Sequence, residues 1–285
     1  MRVLPCALAA LLLAGEPTWG GGRVVDPGPF LSIEVRLEDG RMVPVPAETH
    51  AFYRMLTQDG RIHGKNSPPP SEAEIREGIS LRRQHEPRLA ARFGDRPRTP
   101  ESKYIFPVEG GWLPEQSAYR PGHRAEDIFA PAGRKVFAPA AMLIVHAGYL
   151  SKTAGEAVVG FVPPGRGQLK ARYLVLVHID ARPAKVKIGE VVEAGTVVGA
   201  IAAGDEAIVG NALGRPTHLH FVIREERPDS QLEGIPVWNL LRQALRRSAR
   251  VDLPAGTAAM RDSTGQVWSK LLFLHGAGVS GWGRF

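Results

Sequence analysis

The sequence predicts a mainly β protein: an antiparallel β-sheet domain, preceded by a hairpin and a helix and followed by a second helix. Three observations carry this. From about Glu101 to Arg227, short apolar runs alternate with turn residues: KYIFPV, KVFAPA, MLIVHAGY, YLVLVHI, TVVGAIA and HLHFVIRE, each of strand length. The 285 residues include 32 glycines and 24 prolines, a composition suited to many turns. Hydrophobic residues make up 44% and charged residues 23%, which is enough apolar material for a sizeable core and excludes disorder throughout.

In chain order, residues 1–21 read as an export signal. Arg2 precedes an apolar run from about Leu4 to Ala14, too short to span a bilayer, and small and turn residues follow. The expected location is therefore outside the cytoplasm, in a periplasm, or extracellular at the cell envelope. Cys6, the single cysteine, lies in this segment, so its removal excludes both a disulfide and a catalytic thiol. No later run is long enough for a transmembrane helix. The formal net charge of +7 draws the protein to anionic polymers such as nucleic acid, lipid headgroups or cell-wall material, and charge alone does not choose among them; for an exported protein the expected form is electrostatic association with anionic envelope polymers.

Residues 22–100 form an N-terminal extension. FLSIEVRLEDGRMVPV (30–45) alternates apolar and polar side chains around Asp39-Gly40, which predicts a hairpin closed by a tight two-residue turn. A linker, GKNSPPP, leads to SEAEIREGISLRRQHEPRLAARF, where Ser71 and Glu74 have capping-box spacing for a helix whose arginines form a solvated face. Residues 101–228 hold the main domain. Residues 229–285 begin with an amphipathic helix near 235–249, with Leu240, Leu241 and Leu245 on one side, and end in a glycine-rich tail to which no chemistry is assigned.

The candidate chemistry lies in three places. In HLHFVIRE, His218 and His220 are two apart on a strand, so both side chains project from one face while Leu219 and Phe221 point into the core. A metal, a proton relay, or one of each would suit such a pair. Upstream, His123 and Asp127 stand four apart in GHRAEDIFAPAGRKVFAPA; two imidazoles and a carboxylate are donors that zinc accepts with a position left for water. Between them, His178 closes the strand YLVLVHI just before a glycine-punctuated hairpin in KVKIGEVVEAGTVVG.

Taken in order over about residues 104–226, these motifs resemble the lysostaphin-type (LytM-like) zinc endopeptidases, which cut the peptide part of bacterial peptidoglycan. H-x-x-x-D with an Ala-Pro turn, a middle histidine with its hairpin, and a terminal H-x-H are all present. The resemblance implies one zinc per chain held by His123, Asp127 and His220, with His178 and His218 as catalytic histidines and peptidoglycan peptides as substrate. Division of roles between the two histidines stays open. The chain departs from the family pattern in three places: Ala125 stands where a glycine is usual, with Glu126 beside it; Leu176 replaces a common tyrosine; and the segment 151–173 differs, which bears on specificity.

Three other readings have specific discriminators. A non-catalytic relative that binds wall or activates an amidase would be expected to lose ligands, and all are retained here. A lipoyl-type carrier needs a lysine at the hairpin tip, where this chain has Glu193-Ala194-Gly195. A nucleic-acid binder would interleave aromatics with its basic runs, which these lack. Of the remaining histidines, His50, His63, His85 and His275 have no partner spacing, and His146, on the strand MLIVHAGY, is expected to face solvent.

Overall fold

A computed structural model describes residues 32–36, 42–46, 70–165, 170–184, 186–204, 206–248, 259–261 and 267–269. The chain runs β1 (Ser32–Arg36), β2 (Met42–Pro46), α1 (Glu72–Phe93), β3 (Glu126–Phe129), β4 (Lys135–Phe137), β5 (Met142–Ser151), β6 (Gly155–Val162) and β7 (Arg172–Val177). It continues through β8 (Ile179–Asp180), β9 (Val191–Val192), β10 (Val197–Ile201), α2 (Glu206–Val209), β11 (His218–Glu226), β12 (Leu232–Ile235), α3 (Trp238–Ser248), β13 (Ala259–Arg261) and β14 (Val267–Ser269). The segment read as an export signal, Cys6, His50, His63 and His275 lie outside the described residues.

The main sheet has the order β12-β11-β7-β6-β5-β9, and β3 pairs β11 beside β12; every pairing is antiparallel, as the sequence predicts. A second sheet has the order β4-β10-β8. One face of the main sheet, including Leu174, Leu176, Leu219, Phe221 and Ile223, packs with Val136, Val198, Ile201 and Ile179 of the second sheet and with Leu241 and Ala244 of α3. Leu240 and Leu245 flank that contact, so the predicted apolar stripe of the C-terminal helix does cover the core. The other face, including Val159, Val175, Val177 and Val222, packs against Leu89 and Phe93 of α1.

α1 starts as its capping box requires. The Glu74 backbone N–H donates to Ser71 Oγ, and the Ser71 backbone N–H donates to the Glu74 carboxylate at 2.7 Å. Its arginines divide between two environments instead of forming one solvated face. Arg76, Arg83 and Arg88 are exposed, whereas Arg82 is buried and donates to Glu86, to Glu226 at 2.7 Å and to the Ser230 carbonyl at 2.8 Å. Glu226 is the last residue of β11, so this pair ties α1 to the strand that carries His218 and His220.

Four expectations about local structure are corrected. β1 and β2 pair with Arg36 opposite Met42, one residue off the register of a two-residue Asp39-Gly40 turn, whose own residues lie outside those described. KYIFPV forms no strand: Tyr104, Phe106 and Val108 are buried at period two, but Pro107 has no N–H to donate and only an isolated Val108–Val136 bridge forms. The turn at Glu193–Thr196 joins two sheets instead of closing a hairpin, because β9 pairs β5 while β10 pairs β4 and β8. His146 is 2% exposed rather than solvent-facing. Both faces of the main sheet are covered, so neither face of β5 near His146 is open to solvent, and a bulge between Ile144 and His146 sets Ala147 instead of His146 in the core that holds Ile144.

Candidate metal and catalytic site

β11 supplies the centre of the site. It pairs β3 with His220 opposite Asp127 and His218 opposite Phe129, so the strand period that puts both histidines on one face also sets the carboxylate directly across from His220. His220 Nδ1 lies 3.1 Å from Asp127 Oδ1. Four residues before Asp127, the 120–123 turn closes through paired Arg120 and His123 backbone bonds at 2.9 Å. That turn brings His123 Nε2 to 3.2 Å from Asp127 Oδ2. The rings of His123 and His220 meet edge to face with centroids 5.0 Å apart.

His178 reaches the same place by a break in strand geometry. On the opposite edge of β11, β7 pairs with Val177 across from His220, so continued alternation would turn residue 178 to the Leu219 face. Instead His178 adopts φ 63°, a left-handed conformation that a non-glycine residue holds only when its surroundings enforce it. Its backbone is pinned by His178 N–H to Glu156 O at 3.1 Å and Ala202 N–H to His178 O at 3.1 Å. The chain then crosses to the second sheet as β8, while the imidazole lies 5.0 Å from His218 and 5.7 Å from His220, ring to ring.

Three of the four histidines are oriented in the same way. Nδ1 of His123 lies 3.0 Å from Ala118 O, Nδ1 of His178 lies 3.0 Å from Ala154 O, and Nδ1 of His218 lies 2.7 Å from Pro216 O. A carbonyl can only accept, so each Nδ1 carries a proton; the neutral rings of His178 and His218 are left with a bare Nε2, while Nε2 of His123 faces the Asp127 carboxylate and is protonated there when no metal replaces the proton. His218 Nε2 is 3.8 Å from Asp127 Oδ1. Phe129 packs against the His218 ring at 5.5 Å and is itself stacked by Trp112 at 5.0 Å.

The electrostatics follow from burial and from this crowding. Burial disfavours the Asp127 carboxylate, but the His218 charge and the His123 and His220 hydrogen bonds outweigh it and hold the carboxyl well below its ordinary range. Burial, reinforced by His218 and His220, pushes His178 well below the usual imidazole value, so it is neutral at pH 7. Burial also lowers His220 against the pull of Asp127. At His123, burial opposes protonation, and the hydrogen bond and charge of Asp127 overcome it, raising its pKa.

One ligand atom each from His123, Asp127 and His220 lies within 4.8 Å of the others. Two imidazole nitrogens and a carboxylate oxygen that close together suit zinc in donor type and number, with the carboxylate offsetting part of the ion's charge. All five residues singled out from the sequence therefore converge. Sequence reasoning did not reach the carbonyls of Ala118, Ala154 and Pro216, because any residue type can supply a backbone acceptor. Glu126 was seen only as an oddity, although a carboxylate at an inward strand position is itself a signal.

An antiparallel sheet that gathers a His–Asp–His donor set and two further histidines at one place defines a domain built around a candidate divalent-metal centre. Residues 121–232 match the model of peptidase family M23. Among curated proteins, two uncharacterised proteins, from Mycobacterium tuberculosis and Mycobacterium bovis, are 38% identical over 86 residues; the match spans 30% of this chain and 30% of each relative's length. Among solved structures, the catalytic domain of lysostaphin, an antimicrobial peptidase from Staphylococcus simulans, is 21% identical with a TM-score of 0.32, covering 50% of this chain and 95% of that one. Csd3 from Helicobacter pylori is 17% identical with a TM-score of 0.34, covering 52% of this chain and 38% of that one.

Proposed function

We propose that the protein is an exported zinc-dependent endopeptidase that hydrolyses peptide cross-links of bacterial peptidoglycan. The observation that carries this reading is the meeting of His123, Asp127, His178, His218 and His220, drawn from three distant motifs, in one cluster within the stretch that matches family M23. His123, Asp127 and His220 would hold the zinc. Bound there, zinc supplies Lewis acidity, lowering the pKa of a coordinated water toward ~7 and polarising an amide carbonyl.

The remaining chemistry belongs to His178 and His218. Each ring is locked by its Nδ1–H to a backbone carbonyl, so proton exchange is confined to Nε2. Burial keeps His178 neutral, with Nε2 ready to accept a proton from the attacking water. His218 lies between His178 and Asp127; once protonated at Nε2 it can donate to the developing oxyanion or to the leaving amine. Trp112 stacks on Phe129, and Phe129 packs against the His218 ring, which helps fix its position.

Support for export is the pattern of residues 1–21, and the +7 charge supports electrostatic retention on anionic envelope polymers. Among the described residues no helix is long and apolar enough to cross a membrane. The decisive experiment pairs metal analysis with digestion of purified peptidoglycan. His123→Ala and Asp127→Ala should lose zinc; His178→Ala and His218→Ala should keep zinc and release no new amine termini. If all four variants still hydrolyse peptidoglycan, the proposal fails.

A further inference from the structure

Glu126 is the residue before Asp127, and its side chain is fully buried. By the pleat of β3 it lies on the face shared with Ile128 and, across the ladder, Leu219 and Phe221, all of them 0% exposed. A carboxylate in such surroundings is costly unless its oxygens are satisfied. No lysine or arginine pairs with it among the described residues. Its partners are instead the Ser117 hydroxyl, which donates to Oε1, and the Ala118 backbone N–H, which donates to Oε2 at 2.8 Å.

Both bonds end on the short segment that orients His123. Ala118, held by its N–H, accepts at its carbonyl from His123 Nδ1–H at 3.0 Å and from the Arg120 guanidinium at 3.1 Å. Beyond it, the Tyr119 hydroxyl donates to Gly234 O at 2.5 Å, and Arg124 pairs with Glu233, so β12 clasps the same segment from the other end. These two clasps act on Tyr119 and Arg124. Of the side-chain contacts described, only those of Glu126 reach Ser117 and Ala118 from the strand that carries Asp127.

We propose that Glu126 is a positioning residue for the metal site: by fixing the Ser117–Ala118 segment it aims the Ala118 carbonyl at Nδ1 of His123. The His123 Nδ1–H is thereby held on that carbonyl, with Nε2 presented beside Asp127. The inference rests on the reading of His123 as a zinc ligand, and partners of this kind are what set ligand orientation at metal centres. Because the segment is anchored to the residue next to Asp127, a single strand would set both the carboxylate and, through one backbone carbonyl, the imidazole facing it.

The test uses the full chain with Glu126→Val, Glu126→Gln and Ser117→Ala, each checked for wild-type far-UV circular dichroism. Zinc affinity is measured by competition with a chromophoric chelator, and the His123 Nδ1–H bond by the solvent exchange of that proton, followed by 15N–1H correlation in chelator-treated protein. Glu126→Val is expected to weaken zinc binding by about 10- to 100-fold and to speed exchange of the His123 Nδ1–H at least as much. Glu126→Gln, whose amide oxygen still accepts from Ala118, should recover most of both. Should Glu126→Val fail to fold, Ser117→Ala, which removes only the hydroxyl partner, should weaken zinc severalfold and broaden the His123 signals. A folded Glu126→Val, or failing that Ser117→Ala, with unchanged exchange of the His123 Nδ1–H overturns the inference, whatever its zinc affinity. A wild-type chain that binds no zinc overturns the metal reading instead, and the Nδ1–H measurement then still decides the role of Glu126.

Discussion

The buried histidine on β5 gives a pH dependence whose size follows from the structure. His146 is 2% exposed; its Nε2–H donates to Gly148 O at 3.1 Å, and burial lowers its pKa to about 4. In the unfolded chain the same group titrates near 6.5. The unfolded state therefore takes up a proton at higher pH than the fold does, so stability is intact above about 6.5 and is lost as pH falls toward about 4. At about 1.4 kcal/mol per pH unit, the full window corresponds to about 3 kcal/mol, and about 2.5 kcal/mol is lost by pH ~4.5. His146→Leu removes the titration while keeping an apolar side chain of similar size. Urea denaturation followed by tryptophan fluorescence, with chelator present, at pH ~7 and ~4.5 should show the wild-type midpoint falling further than that of the variant by roughly 1 M. His178, His220 and Asp127 titrate in both proteins and cancel in the comparison. Equal acid sensitivity of wild type and His146→Leu would refute the argument.

Three further outcomes follow from the packing. Arg82→Met strands the Glu86 and Glu226 carboxylates at the α1 contact and should cost roughly 3 kcal/mol in thermal denaturation, with Arg82→Met/Glu226→Gln partly restored. Gly155, at φ 69°, has no room for a side chain: a Cβ there would lie 2.2 Å from the Ile208 carbonyl oxygen. Gly155→Ala should cost roughly 2 kcal/mol or more, and because neighbouring Ala154 anchors His178, turnover should fall while zinc is retained. Ser71→Ala removes the α1 cap and should lower stability by about 1 kcal/mol without changing zinc affinity; a neutral result would mean that the capping bonds contribute nothing net in the whole chain.

The sequence by itself determined what chain geometry encodes locally. Strand period two puts His218 and His220 on one face and Leu219 and Phe221 on the other; capping-box spacing starts the helix at Ser71; leucine spacing sets the buried stripe of the C-terminal helix. Local spacing alone left the partner of that histidine pair open, and the resemblance of three ordered motifs supplied it. Tertiary structure decided everything that depends on which strand lies beside which. It placed Asp127 opposite His220, turned His178 against its own alternation through a left-handed residue, and separated β9 from β10 into different sheets. It also buried His146 in a sheet covered on both faces, and Arg82 between α1 and that sheet, where solvent was expected. The physical reason is common to these cases: side-chain periodicity is a property of one strand or helix, whereas facing, burial and the carbonyls that set imidazole tautomers arise from long-range backbone pairing.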